Sequence, residues 1–194
     1  MPDYDQRTCL LVVDIQNDFA DPKGALSVAG GEAVVAAANV EIEKATPAGA
    51  FVVYTQDWHP AQTAHFETDG GIWPVHCVQE SWGGAFHPDL QIVGPAVRKG
   101  TSGQDGYSGF TMRDPASGNT SPTELEQLLR DGAIEKVVVI GLATDYCVLE
   151  TALDARRLGF ETSVLGSAVG AVDLQAGDGN RALAALRSAG VDVI

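Results

Sequence analysis

Four groups of side chains in this chain have the type and spacing to do chemistry: a cysteine, two charged residues that end apolar runs, and a cluster of histidines. Cys147 follows Val137-Val138-Val139-Ile140-Gly141-Leu142-Ala143-Thr144-Asp145-Tyr146, an apolar, β-branched run that breaks at glycine. It opens a segment through Leu158 with apolar residues at helical spacing and Gly159 placed as a C′ residue. The pattern predicts a buried strand, a turn and a helix start, with Thr144 or Asp145 as N-cap. Cys147 then lies in the first helical turn, where free N–H groups and the helix dipole favour a thiolate, with thiol pKa values of about 3.5–7.5. A small buried apolar cysteine is the alternative, and this segment by itself favours it.

Asp14 ends Arg7-Thr8-Cys9-Leu10-Leu11-Val12-Val13, a run suited to a strand buried on both faces of a parallel sheet. A carboxylate there needs a partner, and in open α/β sheets ligands bind at the carboxyl ends of strands. The competing role is a loop carboxylate capping Gln16-Asn17-Asp18. Lys99 likewise ends the short strand candidate Ala96-Val97-Arg98, although most lysines are solvated surface charges. As a set the three make sense: Lys99 can hold Cys147 as thiolate or help Asp14 take its proton, and Asp14 can later protonate a leaving group. The N–H groups of Ala143 and Cys147 could converge as an oxyanion hole, each such donor contributing roughly 100- to 1000-fold in rate.

All four histidines, His59, His65, His76 and His87, lie between Gln56 and Ala96, a stretch rich in Trp, Pro and Gly without sustained periodicity. Irregular segments that long are uncommon unless functional. Asp57, His59, His65 and His76 supply one carboxylate and three imidazoles, a donor set suited to zinc, iron or manganese; the alternative is aromatic and histidine packing beneath a long loop. His87, in Phe86-His87-Pro88, falls outside this spacing and reads as structural. Cys77 adjoins His76, and neighbouring side chains rarely converge on one ion. Cys9 reads as core.

The elements that must position these groups alternate. A helix is predicted over Gly31 to Ala45, strands over Ala50 to Thr55 and Ala96 to Lys99, and a short helix over Pro122 to Leu129. A strand over Lys136 to Ile140 precedes the cysteine helix; a strand over Glu161 to Leu165, a helix over Gly179 to Ala189 and a strand over Val191 to Ile194 follow. This is an α/β, three-layer, doubly wound and mostly parallel six-stranded sheet with helices on both faces. The order 321456 sets the ends carrying Asp14 and Gly141 side by side. Gly30-Gly31 lies far from the first strand and lacks the dinucleotide fingerprint. No internal repeat or linker is evident, so one domain over 1–194 is expected.

A formal charge of -14, from 12 Lys+Arg against 26 Asp+Glu, disfavours nucleic acid and anionic membrane as partners. Three widely spaced cysteines make no disulfide framework and point to a reducing, cytoplasmic compartment. The first residues lack a basic and an apolar leader region, and no run of apolar residues is long enough to span a bilayer.

Asp14-Ile-Gln-Asn-Asp-Phe19, Asp57-Trp-His59-Pro with His65, Trp73-Pro-Val-His76-Cys, Lys99-Gly with Tyr107-Ser-Gly-Phe, and Gly141-Leu-Ala-Thr-Asp-Tyr-Cys147 together resemble the nicotinamidase (pyrazinamidase) branch of the isochorismatase-like cysteine hydrolases. The blocks run in that family's order over nearly the whole chain. The resemblance implies an Asp14–Lys99–Cys147 triad, one divalent metal (zinc first, then iron or manganese) held by Asp57, His59, His65 and His76, and a cis peptide before Ala143. It further implies a substrate pocket of Phe19, Trp73 and Tyr107, with Tyr146 close by at a position where relatives often carry another residue. The implied reaction hydrolyses nicotinamide to nicotinate and ammonia through a thioester on Cys147, with pyrazinamide as a further substrate. The metal would engage the pyridine nitrogen and orient the ring. Another small-amide or carbamoyl hydrolase with the same triad, and a non-catalytic nicotinamide- or metal-binding module, are the rival expectations. A homo-oligomer is compatible with all three.

Overall fold

The computed structural model describes residues 2–194. Six parallel strands form one sheet: β1 (Thr8–Val13), β2 (Phe51–Asp57), β3 (Ala96–Lys99), β6 (Lys136–Leu142), β7 (Glu161–Gly170) and β8 (Asp192–Val193). Their spatial order, β3-β2-β1-β6-β7-β8, is the predicted 321456 when only the sheet strands are counted. The two remaining strands, β4 (Thr111–Arg113) and β5 (Thr120–Pro122), pair antiparallel as a separate hairpin.

β1 is buried along its whole length because neighbours pair on both edges and helices cover both faces. Its side chains alternate between two cores. Leu10 and Val12 face Val34, Val35, Ala38 and Ile42 of helix α2 (Gly31–Ala45). Cys9, Leu11 and Val13 face Leu125 and Leu129 of α3 (Leu125–Asp131), Ala152 and Ala155 of α4 (Leu149–Arg157), and Leu186 of α5 (Asp178–Ser188). Cys9 is fully buried core, as expected. Among the described residues, no helix is long and apolar enough to cross a membrane.

Gly141 interrupts the β-branched run of β6 for a steric reason. Its φ is +115°, and a Cβ at this position would fall 2.1 Å from the carbonyl oxygen of Val13 on the neighbouring strand. Only glycine lets the two backbones pass this closely.

Several boundaries differ from expectation. β1 stops at Val13, and Asp14 follows in a left-handed conformation, φ +48°. β2 continues beyond Thr55 to Asp57 because Gln56 and Asp57 still pair with Arg98 and Lys99 of β3. β7 runs to Gly170 instead of Leu165, absorbing a register shift opposite Val139 and Gly141. Pro122 closes β5, so the helix expected from that residue begins at Leu125. The hairpin, three residues per strand, and the four-residue helix α1 (Asn17–Ala20) are too short to show a period in sequence.

Thr144–Val148 forms a π turn before α4, and neither expected N-cap acts as one. Ala143 is the extended residue before the turn, and its carbonyl accepts the N–H groups of Tyr146 and Val148. Asp145 turns away to accept the N–H groups of Val172 at 3.0 Å and Asp173 at 2.8 Å. Gly159, φ +89°, ends α4 as predicted.

Candidate active site

Asp14 follows β1, Asp57 ends β2, Lys99 ends β3, and Cys147 follows β6. The parallel register brings these four positions to the carboxyl end of the sheet. Lys99, though on an outer strand, is fully buried and points inward beside its register partner Asp57. Its Nζ lies 2.6 Å from Asp14 Oδ2, 3.4 Å from Asp57 Oδ1 and 3.5 Å from Cys147 Sγ, and it donates to the carbonyl of Gly106. The other Asp14 oxygen, Oδ1, accepts the hydroxyl of Thr55 at 2.7 Å.

Burial sets the electrostatics of this group. It works against the charge of Lys99, but the carboxylates of Asp14 and Asp57 outweigh it and hold the ammonium well above the usual lysine range. Burial likewise raises Asp14, and Lys99 offsets part of that rise. For Asp57 burial pulls upward, yet His59 and Lys99 hold the carboxyl well below its ordinary value. The Cys147 thiol is pushed well above the ordinary thiol range by burial, with Lys99 opposing and Asp14 adding to the rise. Burial thus works against the thiolate that the helix start favours. Desolvation is the largest influence on the sulfur, and the Lys99 ammonium is the group that opposes it.

His59, His65 and His76 are all buried, and one ring nitrogen from each lies within 4.8 Å of the others. Asp57 Oδ2 stands 3.0 Å from His59 Nε2 and 3.5 Å from His76 Nε2, though it falls outside the tight three-imidazole cluster. Two rings are fixed from behind: His65 Nδ1 pairs with Asp105 Oδ1 at 2.8 Å, and His76 Nδ1 lies 2.7 Å from the Pro74 carbonyl. Burial first, and then His59, lower the pKa of His65, favouring the neutral imidazole that a metal requires. Three imidazoles, two of them anchored through Nδ1, with a carboxylate alongside fit a divalent ion of the zinc type. His87 and Cys77 stay outside the cluster. Cys77 is instead held in a left-handed conformation, φ +46°, with its N–H donated to Asp18 Oδ2 at 2.7 Å.

A narrow pocket joins the two groups. Cys147, Ala143, Asp57, His65 and His76 all line it. Phe19, Trp73, Tyr107 and Tyr146 supply the walls. The indole N–H of Trp73 donates to the Tyr107 hydroxyl at 2.8 Å, and Trp73 meets Tyr146 edge-on at 4.8 Å between centroids. The peptide between Leu142 and Ala143 is cis. A larger, more open groove beside Trp58 and Arg98 contains none of the reactive groups.

Sequence reasoning missed Leu26 and Val172, which also line the pocket, Thr55 behind Asp14, and Asp105 behind His65. Leu26 and Val172 come from irregular segments with no periodic signal. Thr55 carried a usable signal, being a hydroxyl within a β-branched strand two residues before Asp57. Asp105 stands two residues before Tyr107, but nothing in the pattern pointed it at a histidine 40 positions away.

The model of the isochorismatase domain matches residues 8–194. The chain belongs to the isochorismatase family. Within the family it is 37% identical to a nicotinamidase of Escherichia coli, over 93% of this chain and 91% of that one. Two solved family structures superpose closely. The pyrazinamidase of Pyrococcus horikoshii in complex with zinc does so with a TM-score of 0.85 and 38% identity, covering 97% of this chain and 98% of that one. PnC1 from L. infantum in complex with nicotinate does so with a TM-score of 0.88 and 36% identity, covering 100% and 95%. The α/β fold inferred from the strand pattern is the fold of these relatives.

Proposed function

We propose that residues 1–194 form one hydrolase domain that converts nicotinamide to nicotinate and ammonia, and also accepts pyrazinamide. The observation that carries this reading is the buried contact of Lys99 with Asp14 and Cys147, opening onto an aromatic pocket beside three histidines. Relatives named nicotinamidase and pyrazinamidase, and one solved with nicotinate, support the substrate class.

In this mechanism Asp14, its proton affinity raised by burial, takes the proton from Cys147 Sγ as the sulfur attacks the amide carbon. Lys99 stabilises the negative charge that moves between thiolate and carboxylate. The N–H groups of Ala143 and Cys147 receive the developing oxyanion. Asp14 returns the proton to the leaving nitrogen, the C–N bond breaks, and ammonia departs from a thioester on Cys147. Asp14 then takes a proton from water, whose oxygen attacks the thioester carbon; the C–S bond breaks, and the proton returns to sulfur as nicotinate leaves. His59, His65 and His76, with Asp57 beside them, would hold one divalent ion, zinc first. Bound there, such an ion would supply a Lewis-acid site for the pyridine nitrogen and so help to orient the ring. Phe19, Trp73, Tyr107 and Tyr146 hold the ring and keep bulk water from the sulfur.

The test is ammonia release from nicotinamide by purified protein of measured metal content, with and without a chelator. Turnover that is suppressed reversibly by chelation and abolished by Cys147→Ala is expected. Metal-loaded protein that leaves nicotinamide untouched would overturn the substrate assignment. Cys147→Ala acting at the wild-type rate would overturn the mechanism.

A further inference from the structure

The three clustered histidines are supported differently from behind. His76 Nδ1 meets a neutral carbonyl, Pro74 O, at 2.7 Å, and His59 Nδ1 is buried with no hydrogen-bond partner among the described residues. His65 Nδ1 faces a carboxylate, Asp105 Oδ1, at 2.8 Å. Asp105 is itself held on three sides. Its backbone N–H donates to the Arg113 carbonyl at 2.7 Å, the Arg113 N–H donates to the Asp105 carbonyl at 3.0 Å, and the second carboxylate oxygen, Oδ2, lies 3.3 Å from the Arg113 guanidinium. The Asp105 side chain is 10% exposed, whereas that of Arg113 is 57% exposed. The surface hairpin β4–β5 is thus joined to a histidine of the cluster through one buried carboxylate.

We propose that Asp105 is a positioning residue for metal binding: its carboxylate keeps the proton of His65 on Nδ1, leaves Nε2 as the donor, and strengthens that donor by its charge. The inference rests on the metal reading of His59, His65 and His76 given above. A carboxylate behind a ligating imidazole fixes the tautomer and ring orientation and raises ligand basicity, and loss of such a partner weakens metal affinity by about 10- to 100-fold. Asp105 lies in the loop that also carries Gly106, the acceptor of Lys99, and Tyr107 of the pocket wall. The hairpin that anchors Asp105 therefore sets the metal side of the pocket from outside it.

The experiment measures the dissociation constant for Zn²⁺ by competition with a chromophoric chelator on metal-free full-length protein. Wild type, Asp105→Asn, Asp105→Ala and His65→Ala are compared, with the fold of each followed by near-UV circular dichroism. Asp105→Asn keeps the size and an acceptor oxygen while removing the charge, so it separates electrostatic support from packing. About a tenfold weaker affinity is expected for Asp105→Asn, and a 10- to 100-fold weaker one for Asp105→Ala. Asp105→Asn binding Zn²⁺ as wild type does would overturn the proposal, since packing would then suffice. Wild type failing to bind Zn²⁺, or binding it undiminished in His65→Ala, would overturn the metal reading and this proposal with it.

Discussion

The ammonium of Lys99 stands 2.6 Å from Asp14 Oδ2, with both side chains wholly removed from solvent. Two charges taken out of water hold each other in place, and removing one strands the other. Lys99→Met is expected to cost about 3–5 kcal/mol of stability, the range for breaking a buried pair, and to abolish ammonia release. Urea unfolding of wild type and variant measures the first. A variant as stable as wild type would show that the pair contributes nothing to the fold.

Thr55 Oγ1 donates to the other oxygen of Asp14 and holds its pKa down against burial. Thr55→Val keeps the shape and removes the donor. Asp14 should then bind its proton more tightly, moving the acid limb of the kcat/KM profile to higher pH. The unpaired oxygen should cost about 1–3 kcal/mol of stability. An acid limb that stays in place would remove Thr55 from any part in tuning Asp14.

The three buried thiols predict sensitivity to alkali. Burial pushes Cys9, Cys77 and Cys147 above the ordinary thiol range, so each folded-state pKa exceeds its unfolded value of about 8.5. The stabilisation from these groups is complete below that pH and is lost as pH rises above it, because the unfolded chain releases protons that the fold retains. The unfolding free energy at pH 10 should be lower than at pH 7.5. Equal values would contradict the buried, protonated state of the thiols.

Gly141→Ala should misfold or lose activity outright. A methyl group would meet the Val13 carbonyl at 2.1 Å, and the left-handed backbone alone adds about 1–3 kcal/mol of strain. Soluble, fully active Gly141→Ala would mean that β1 and β6 can separate at this point.

The positions of the strands, and with them the order of the sheet, were legible because apolar β-branched runs such as Leu10 to Val13 and Val137 to Ile140 have few other uses. That order already sets Asp14 beside Gly141. The place of Lys99 was not legible, since a lysine on an outer strand gives no sign of which way it points. Its register against Asp57 decides that, and register is a tertiary property. The burial that opposes a thiolate at Cys147 was not legible for a similar reason. The helix start is written locally, whereas the burial that overrides it comes from residues far away in sequence. Asp145 shows the same limit, looking like a cap in sequence yet serving as an acceptor for Val172 and Asp173.

The order of the sheet also bears on how the chain is made. β1 lies between β2 and β6, and at its start Arg7 is bonded to Glu135, 128 positions later. At ribosomal speeds of about 5–20 residues per second, roughly 6–26 s pass before that partner exists. During this interval β1, β2 and β3 can zip together, but one edge of β1, apolar on both faces, has nothing to pair with. Nascent chains are then most open to strand-to-strand aggregation, and chaperones would be needed most while residues 58–135 are being synthesised.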